Sequence, residues 1–285
     1  MGSDNCHTIE PMKNSDPLIT HIQKILIIAY KESTDLLEKT FEQEGFEYEV
    51  IRQKHQPEYK NYSASYLCLL NHCDAWKIAT SQTKPTLIVE ADFVPVLNFG
   101  QLTLPFSPSE QNVGIAWLYT CASQVYSVSD DGYAQGFSTS MVAYIVTPQS
   151  AQLLLGLQKG IEKNLGPTNY SAWDSTVDNF LRAKNYKNYI PFRNYGEHGG
   201  LPNREHQEHK LSATHRADVL YDKLAFTPLY VTSGSRLQLI LIRLKARIKG
   251  LGRLFLGKYL RIPVLQGSSV PLRLMWFALK RQLFV

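Results

Sequence analysis

Thr86-Leu-Ile-Val-Glu-Ala-Asp-Phe-Val94 is a run of apolar and β-branched residues that ends on two carboxylates. Four consecutive apolar or β-branched positions followed by polar ones predict a strand buried on both faces, as in a parallel or mixed sheet. Glu90 and Asp92 stand at i and i+2, so in an extended strand both side chains point the same way. Two anions then converge at the carboxyl edge of a sheet, where open α/β folds bind ligands. The plainer alternative is a solvated strand end.

Working outward, Lys24-Ile-Leu-Ile-Ile-Ala-Tyr30 upstream reads as another buried strand. Ser33 and Thr34 offer cap oxygens for a helix over Asp35 to Glu44, Gly45 closes it, and Tyr48 to Ile51 forms the next strand. The chain therefore opens βαβ. Apolar residues at 66, 69, 70, 73 and 76 make a helical stripe through Ser65 to Thr80. His72 and Trp76 share one face of it, and the default for both is core packing. Downstream, residues 98–136 hold one strand candidate, Val113 to Leu118, and a turn at Asp130-Asp131-Gly132. Met141 to Val146 is a strand, and Pro148 takes the first position of a helix over Gln149 to Lys159. Asp178 leads into a helix through Lys184, and Arg193 to His206 reads as a polar loop.

Length and composition are compatible with this α/β reading. The 285 residues, 44% hydrophobic, suffice for a large core, which excludes disordered, collagen-like and disulfide-stapled classes. Cys6, Cys68, Cys73 and Cys121 have no zinc-ligand spacing and read as free thiols in a reducing compartment. Neither a signal peptide nor a myristoylation pattern is expected at the N-terminus, since Cys6 stands where Ser or Thr is needed. GxSxG, HExxH, Walker and GxGxxG patterns are missing, and so are nucleic-acid motifs.

Charge is divided. Of 30 Lys and Arg, 12 lie from Lys223 onward, where no Asp or Glu occurs; the preceding 222 residues set 18 cations against 25 acids. From Arg236 the residues Leu237, Ile240, Leu241, Leu244, Ile248, Leu251 and Phe255 recur every three or four positions. Arg236, Arg243 and Arg247 flank that stripe on one side, Lys245 and Lys249 on the other, the pattern of a helix lying in anionic lipid. Gly250, Gly252 and Gly257 are expected to weaken its far end. Leu272 to Val285 adds Trp276, Phe277, Arg273, Lys280 and Arg281 after the break from Pro263 to Pro271. The alternative is a helix packed on the rest of the chain with its cations in water. We divide the chain into a flexible N-terminus (1–21), a body (22–232) and a basic amphipathic tail (233–285).

Glu90 and Asp92 are hard oxygen donors suited to Mg²⁺ or Mn²⁺, which would hold a nucleotide diphosphate and offset its charge on departure. His198, His206, His209 and His215 fall within 18 residues, and His198 leads as a third ligand because Gly196, Gly199 and Gly200 let the backbone approach a ligand. Asp178 and Asp174 are candidates for a base that deprotonates an acceptor hydroxyl; helix capping is the competing role.

In order and spacing these segments resemble glycosyltransferase family 25, the lipopolysaccharide-type transferases related to collagen galactosyltransferases. The resemblance runs through Ile28-Ala-Tyr30, Leu69 to Trp76, Leu87 to Val94, Ala143 to Ala151 and Thr176 to Phe180, covering roughly residues 22 to 185. It implies a GT-A-like mixed sheet flanked by helices, a UDP-sugar donor with galactose favoured, and Mn²⁺ or Mg²⁺. By position Glu90 and Asp92 would meet metal and diphosphate, Ala29 and Tyr30 would lie on the donor side, His72 would be a structural or donor-side residue, and Asp178 would be an acceptor-side residue or the base of an inverting transfer. The sequence departs from the family at Ala91, in place of an Asp, and at Asn71, in place of a Ser. The implied acceptor is a lipid-linked or lipopolysaccharide-type glycan, met at the cytoplasmic face of a membrane through residues 236–285. Two rivals remain open: a hydrolase of phosphoesters or nucleotide sugars using Glu90, Asp92 and His198, and a degenerate transferase that binds or assembles glycans.

Overall fold

The computed structural model describes residues 16–283 except 203, 211, 213, 233 and 234; Cys6 and the rest of the first fifteen residues lie outside it. A helical turn, α1 (Leu18–His21), precedes strand β1 (Lys24–Ala29). Leu18 is fully buried, so residues 18–21 belong to the folded body and not to a flexible N-terminus. In β1 everything after Lys24 is buried, because Leu26 and Ile28 face one core and Ile25 and Ile27 the other. Helix α2 (Asp35–Gln43) packs Leu37 and Phe41 into the second core, and Gly45 then takes φ 81°, a left-handed conformation that only glycine adopts freely. The expected Thr34 cap is absent: its hydroxyl bonds to Glu38 instead. β2 (Tyr48–Arg52) returns parallel to β1.

Helix α3 (Ala64–Ala79) starts at Ser63, whose hydroxyl accepts from the Tyr66 amide, and buries Leu69 and Trp76 in the first core. β3 (Thr86–Glu90) then pairs parallel with the far side of β1, so β2, β1 and β3 end at one carboxyl edge. The expected single strand to Val94 is broken. The Ala91 amide still donates to Ile28 O, but Ala91-Asp92 turn, and β4 (Phe93–Pro95) leaves the main sheet for a new partner.

The remaining strands are β5 (Val113–Trp117), β6 (Gln124–Val128), β7 (Ala134–Phe137), β8 (Ala143–Val146) and β9 (Lys187–Ile190). They complete an eight-stranded mixed sheet ordered β2-β1-β3-β8-β5-β9-β7-β6. β6, the edge strand, and β7 beside it, joined through the turn at Asp130 to Gly132, escape the sequence reading because both carry half-exposed positions between their buried ones. Helix α4 (Pro148–Leu165) begins with the expected Pro, under a reciprocal cap between Thr147 and Ser150. It packs beside α3, and α5 (Val177–Arg182) beside α4. β10 (Gly196–His198) pairs antiparallel with β4, and α6 (Arg204–Glu208) follows. Arg193 to His206 is therefore not a polar loop: Asn194, Tyr195, Gly196 and Glu197 are all buried.

Helices α7 (Arg236–Phe255), α8 (Ile262–Gly267) and α9 (Pro271–Leu283) make up the basic segment. It does not hang free. Tyr259, Leu274, Phe277 and Ala278 join the first core beside Val125 and Ile190, and the Val125 amide donates to Tyr259 O at 3.0 Å. Arg281, 1% exposed, forks onto Asp218, which also accepts from the Gln282 amide group. Burial pushes the Asp218 carboxyl up, but Arg281 outweighs it and holds it at about 2. Removing either partner would leave a buried charge unmatched, at a cost on the order of 3–5 kcal/mol. Gly250, expected to weaken α7, is instead where the helix touches: a Cβ there would stand 2.7 Å from Asp218 Cβ.

Candidate active site

The site grows from the carboxyl edge of β1 and β3. Glu90 Oε1 lies 3.3 Å from His72 Nε2 and 3.9 Å from Cys68 Sγ. His72 is fully buried, with its ring 6.1 Å from Trp76 and 5.1 Å from Trp173. Trp76 Nε1 donates to Tyr144 Oη at 2.9 Å, and that hydroxyl is 2.8 Å from His72 Nδ1. A carboxylate oxygen only accepts, so the assignment that fits places the His72 proton on Nε2, donating to Glu90, and leaves Nδ1 to accept from the Tyr144 hydroxyl. The default core role of Trp76 and His72 holds, and His72 additionally orients Glu90.

Because the chain turns at Ala91, strand alternation does not align Glu90 with Asp92. β10 does the work that alternation was expected to do. His198 Nε2 lies 3.0 Å from Asp92 Oδ2, and the Gly199 amide donates to Asp92 O at 2.8 Å. One ligand atom from each of Glu90, Asp92 and His198 then falls within 4.8 Å of the others. Burial pulls the His198 imidazole down, but the Asp92 and Glu90 carboxylates outweigh it and raise it to about 9. Burial pushes Asp92 up, and His198 and Arg216 bring it below the usual carboxylate range. The electrostatics thus favour a positive charge between the two carboxylates. Asp92 Oδ1 is buried without a hydrogen-bond partner, a free lone pair of the kind a hard cation takes. A second cluster, Cys68, His72 and Glu90, fits less well, since burial drives the Cys68 thiol far above its ordinary value and a thiol must ionise to ligate.

The other histidines separate. His209 stacks on Tyr170 at 4.2 Å, His215 Nδ1 lies 2.9 Å from Cys121 Sγ, and the His206 side chain is outside the described residues. The glycines around His198 serve protein packing and not ligand approach: a Cβ on Gly196 would meet Val94 O at 2.5 Å, and one on Gly200 would meet Asp92 Oδ2 at 2.2 Å. Gly200→Ala must therefore push the Asp92 carboxylate off His198. We expect Mn²⁺ affinity, measured by calorimetry, to fall about 10–100-fold with unchanged circular dichroism; unchanged affinity would remove Asp92 from the metal set.

Two residues that the sequence did not single out hold this strand from behind. Glu197, fully buried, accepts from the amides of His198 and Ala217 through Oε1 and from Arg243 of α7 through Oε2. Arg216 donates to His198 O and Gly200 O and lies 3.7 Å over the Tyr230 ring. The one local hint was Glu197 beside His198; the partners are distant in sequence.

Two pockets meet at the cluster of Glu90, Asp92 and His198. One, about 420 Å³, is lined by Ala29, Tyr30, Gln53, Asn71, Glu90 and Asp92. Asn71 Nδ2 bonds to Ala29 O, and its Oδ1 is buried without a partner. The other, about 210 Å³, includes Tyr119, Trp173, Asp174, His198 and Glu90. Burial pushes the Asp174 carboxyl up to about 6, against the Ser175 amide, which donates to Oδ1 at 2.8 Å. Asp178, the first choice for a base, lines neither pocket. It is 1% exposed and accepts from Asn188 at 2.8 Å and Tyr126 at 3.2 Å, with Arg182 at 3.7 Å, so it fastens α5 to β9.

No family model matches the chain, and no curated protein does. Among solved structures, a glycosyltransferase involved in glycosylation of the major capsid of PBCV-1 aligns at 9% identity and TM-score 0.41, covering 59% of this chain and 79% of its own. A mutant Drosophila beta-1,4-galactosyltransferase 7 in complex with manganese, UDP-Gal and xylobiose aligns at 8% identity and TM-score 0.38, covering 66% and 74%.

Proposed function

We propose that this chain is a glycosyltransferase that moves a sugar, galactose favoured, from a UDP-sugar to a hydroxyl of a lipid-linked or lipopolysaccharide-type glycan. The observation that carries the reading is the triad of Glu90, Asp92 and His198 at the junction of two pockets, the smaller of which holds a carboxyl with its pKa near 6. The larger pocket, at the end of parallel strands, suits the nucleotide, with Ala29, Tyr30 and Asn71 on its wall. Glu90, Asp92 and His198 would hold Mn²⁺ or Mg²⁺, which supplies positive charge against the leaving diphosphate. His198 would stand in for the carboxylate missing at Ala91, which weighs against the degenerate-scaffold alternative.

Asp174 acts on the acceptor side. The oxygen that Ser175 does not engage takes the proton of the acceptor hydroxyl as that oxygen bonds to the anomeric carbon and the bond to the diphosphate oxygen breaks. Tyr119 and Trp173 give the pocket aromatic walls for a sugar face. Among the described residues no helix is long and apolar enough to cross a membrane; a lipid-borne acceptor would be met from the surface, at the cytoplasmic face. Thermal-shift measurements across UDP-sugars should show stabilisation by UDP with Mn²⁺ and none with chelator. UDP release should require a glycan acceptor. Release of free sugar without acceptor would assign a hydrolase instead, and a chain that binds neither metal nor nucleotide would overturn the reading.

A further inference from the structure

The α7 helix docks by the face opposite its apolar stripe. Its buried residues are Ala246 and Gly250, and Arg243 reaches inward to Glu197. Leu237, Ile240, Leu241, Leu244, Ile248 and Phe255, which recur on one face at 100° per residue, are each more than half exposed. Helices of water-soluble domains turn such a stripe inward; here it is presented outward, with Ile262 of α8 and Leu272 and Trp276 of α9 exposed on the neighbouring helices.

The cations divide accordingly. Arg243, Arg253, Arg273 and Arg281 are turned onto Glu197, Ser123 O, Asp130 and Asp218. Lys245, Lys249, Lys258 and Arg261 are exposed and have no ion-pair partner among the described residues. No Asp or Glu follows residue 222.

We propose that this outward ridge is a docking surface for an anionic lipid bilayer, with the apolar side chains entering the acyl boundary and Lys245, Lys249, Lys258 and Arg261 meeting headgroups. An apolar ridge rimmed by cations and without acids is complementary to that surface. It is a poor fit to a second copy of itself, since two like-charged segments would face each other. Trp276, 44% exposed with Lys280 5.4 Å over its ring, has the amphipathic character of side chains that settle at headgroup depth. The proposal deepens the membrane-borne acceptor of the proposed function and rests on it for its purpose, although lipid binding itself does not require sugar transfer.

Flotation of the full chain with two kinds of vesicle tests it: phosphatidylcholine alone, and phosphatidylcholine with a third replaced by phosphatidylglycerol. Binding is expected on the second, weakening as salt is raised, and at least about tenfold weaker on the first. Leu241→Glu and Ile248→Glu, at exposed positions, should each reduce binding about tenfold or more. Lys245→Gln and Lys249→Gln should each reduce it roughly fivefold. UDP and Mn²⁺ binding, followed by thermal shift, should be unchanged in all four and reports that they fold. Failure of the wild-type chain to float with anionic vesicles overturns the proposal, as does a Leu241→Glu variant that floats equally well. A concentration-dependent dimer that Leu241→Glu dissolves, without vesicle binding, assigns the ridge to a second copy and also overturns it. Vesicle binding without nucleotide binding leaves the docking surface standing and removes the transferase reading.

Discussion

On the proposed function, Asp92→Ala is expected to abolish Mn²⁺-dependent UDP binding and to lower transfer about a thousandfold or more. The size follows from the position of the carboxylate. Asp92 contributes Oδ2 to His198 and holds Oδ1 buried and unpartnered, so its removal takes one ligand away and releases a second. His198→Gln keeps both carboxylates and should cost less, about 10–100-fold in metal affinity. Circular dichroism separates these effects from unfolding, because β4 and β10 remain paired through their backbones. Full activity in Asp92→Ala would remove the metal from the reaction.

Much of this site could be read from local pattern, and the misreadings share one cause. The run from Thr86 supplied the strand and both carboxylates, yet the i, i+2 argument failed because Ala91-Asp92 exchange one strand partner for another. His198 was legible as a neighbour of the two carboxylates, whereas the glycines around it were assigned to ligand approach when they admit β4 and Asp92. Asp178 and Asp174, four residues apart at a helix start, cannot be ranked by spacing. The positions of Asn188 on β9 and Tyr126 on β6 show that Asp178 is already engaged. In the basic segment, periodicity located the stripe of α7 correctly but not which face the body would take. That choice is made by Glu197 and Asp218, two acids that wait for Arg243 and Arg281 across 46 and 63 residues. Periodicity reports an element's faces; the buried charge that selects between them lies elsewhere in the chain.

The Asp174 carboxyl supplies the test that a merely structural role would not pass. Burial is the main cause of its rise to about 6, so at neutral pH it is an ionised base close to the pKa at which proton transfer is most effective. In the proposed role of base, Asp174 acts only in its ionised form, and activity is expected to follow it. It should hold above pH 7 and fall as pH drops through about 6, by a factor of ten for each further unit. Asp174→Asn preserves shape but cannot take the proton; kcat should drop about 10²–10⁴-fold and the inflection near pH 6 should disappear, with UDP binding retained. Stability should move in the opposite direction. A carboxyl whose folded pKa lies above its unfolded value stabilises the fold below about 4 and loses that contribution as pH rises through about 6. The amide carries no such charge, so at pH 8 the variant should unfold at a higher temperature, by roughly 1–3 kcal/mol of stability. A variant that is inactive, more stable and still binds nucleotide identifies Asp174 as a group that acts on the acceptor. A variant that keeps the inflection, or retains activity within tenfold, shows that another residue accepts the proton.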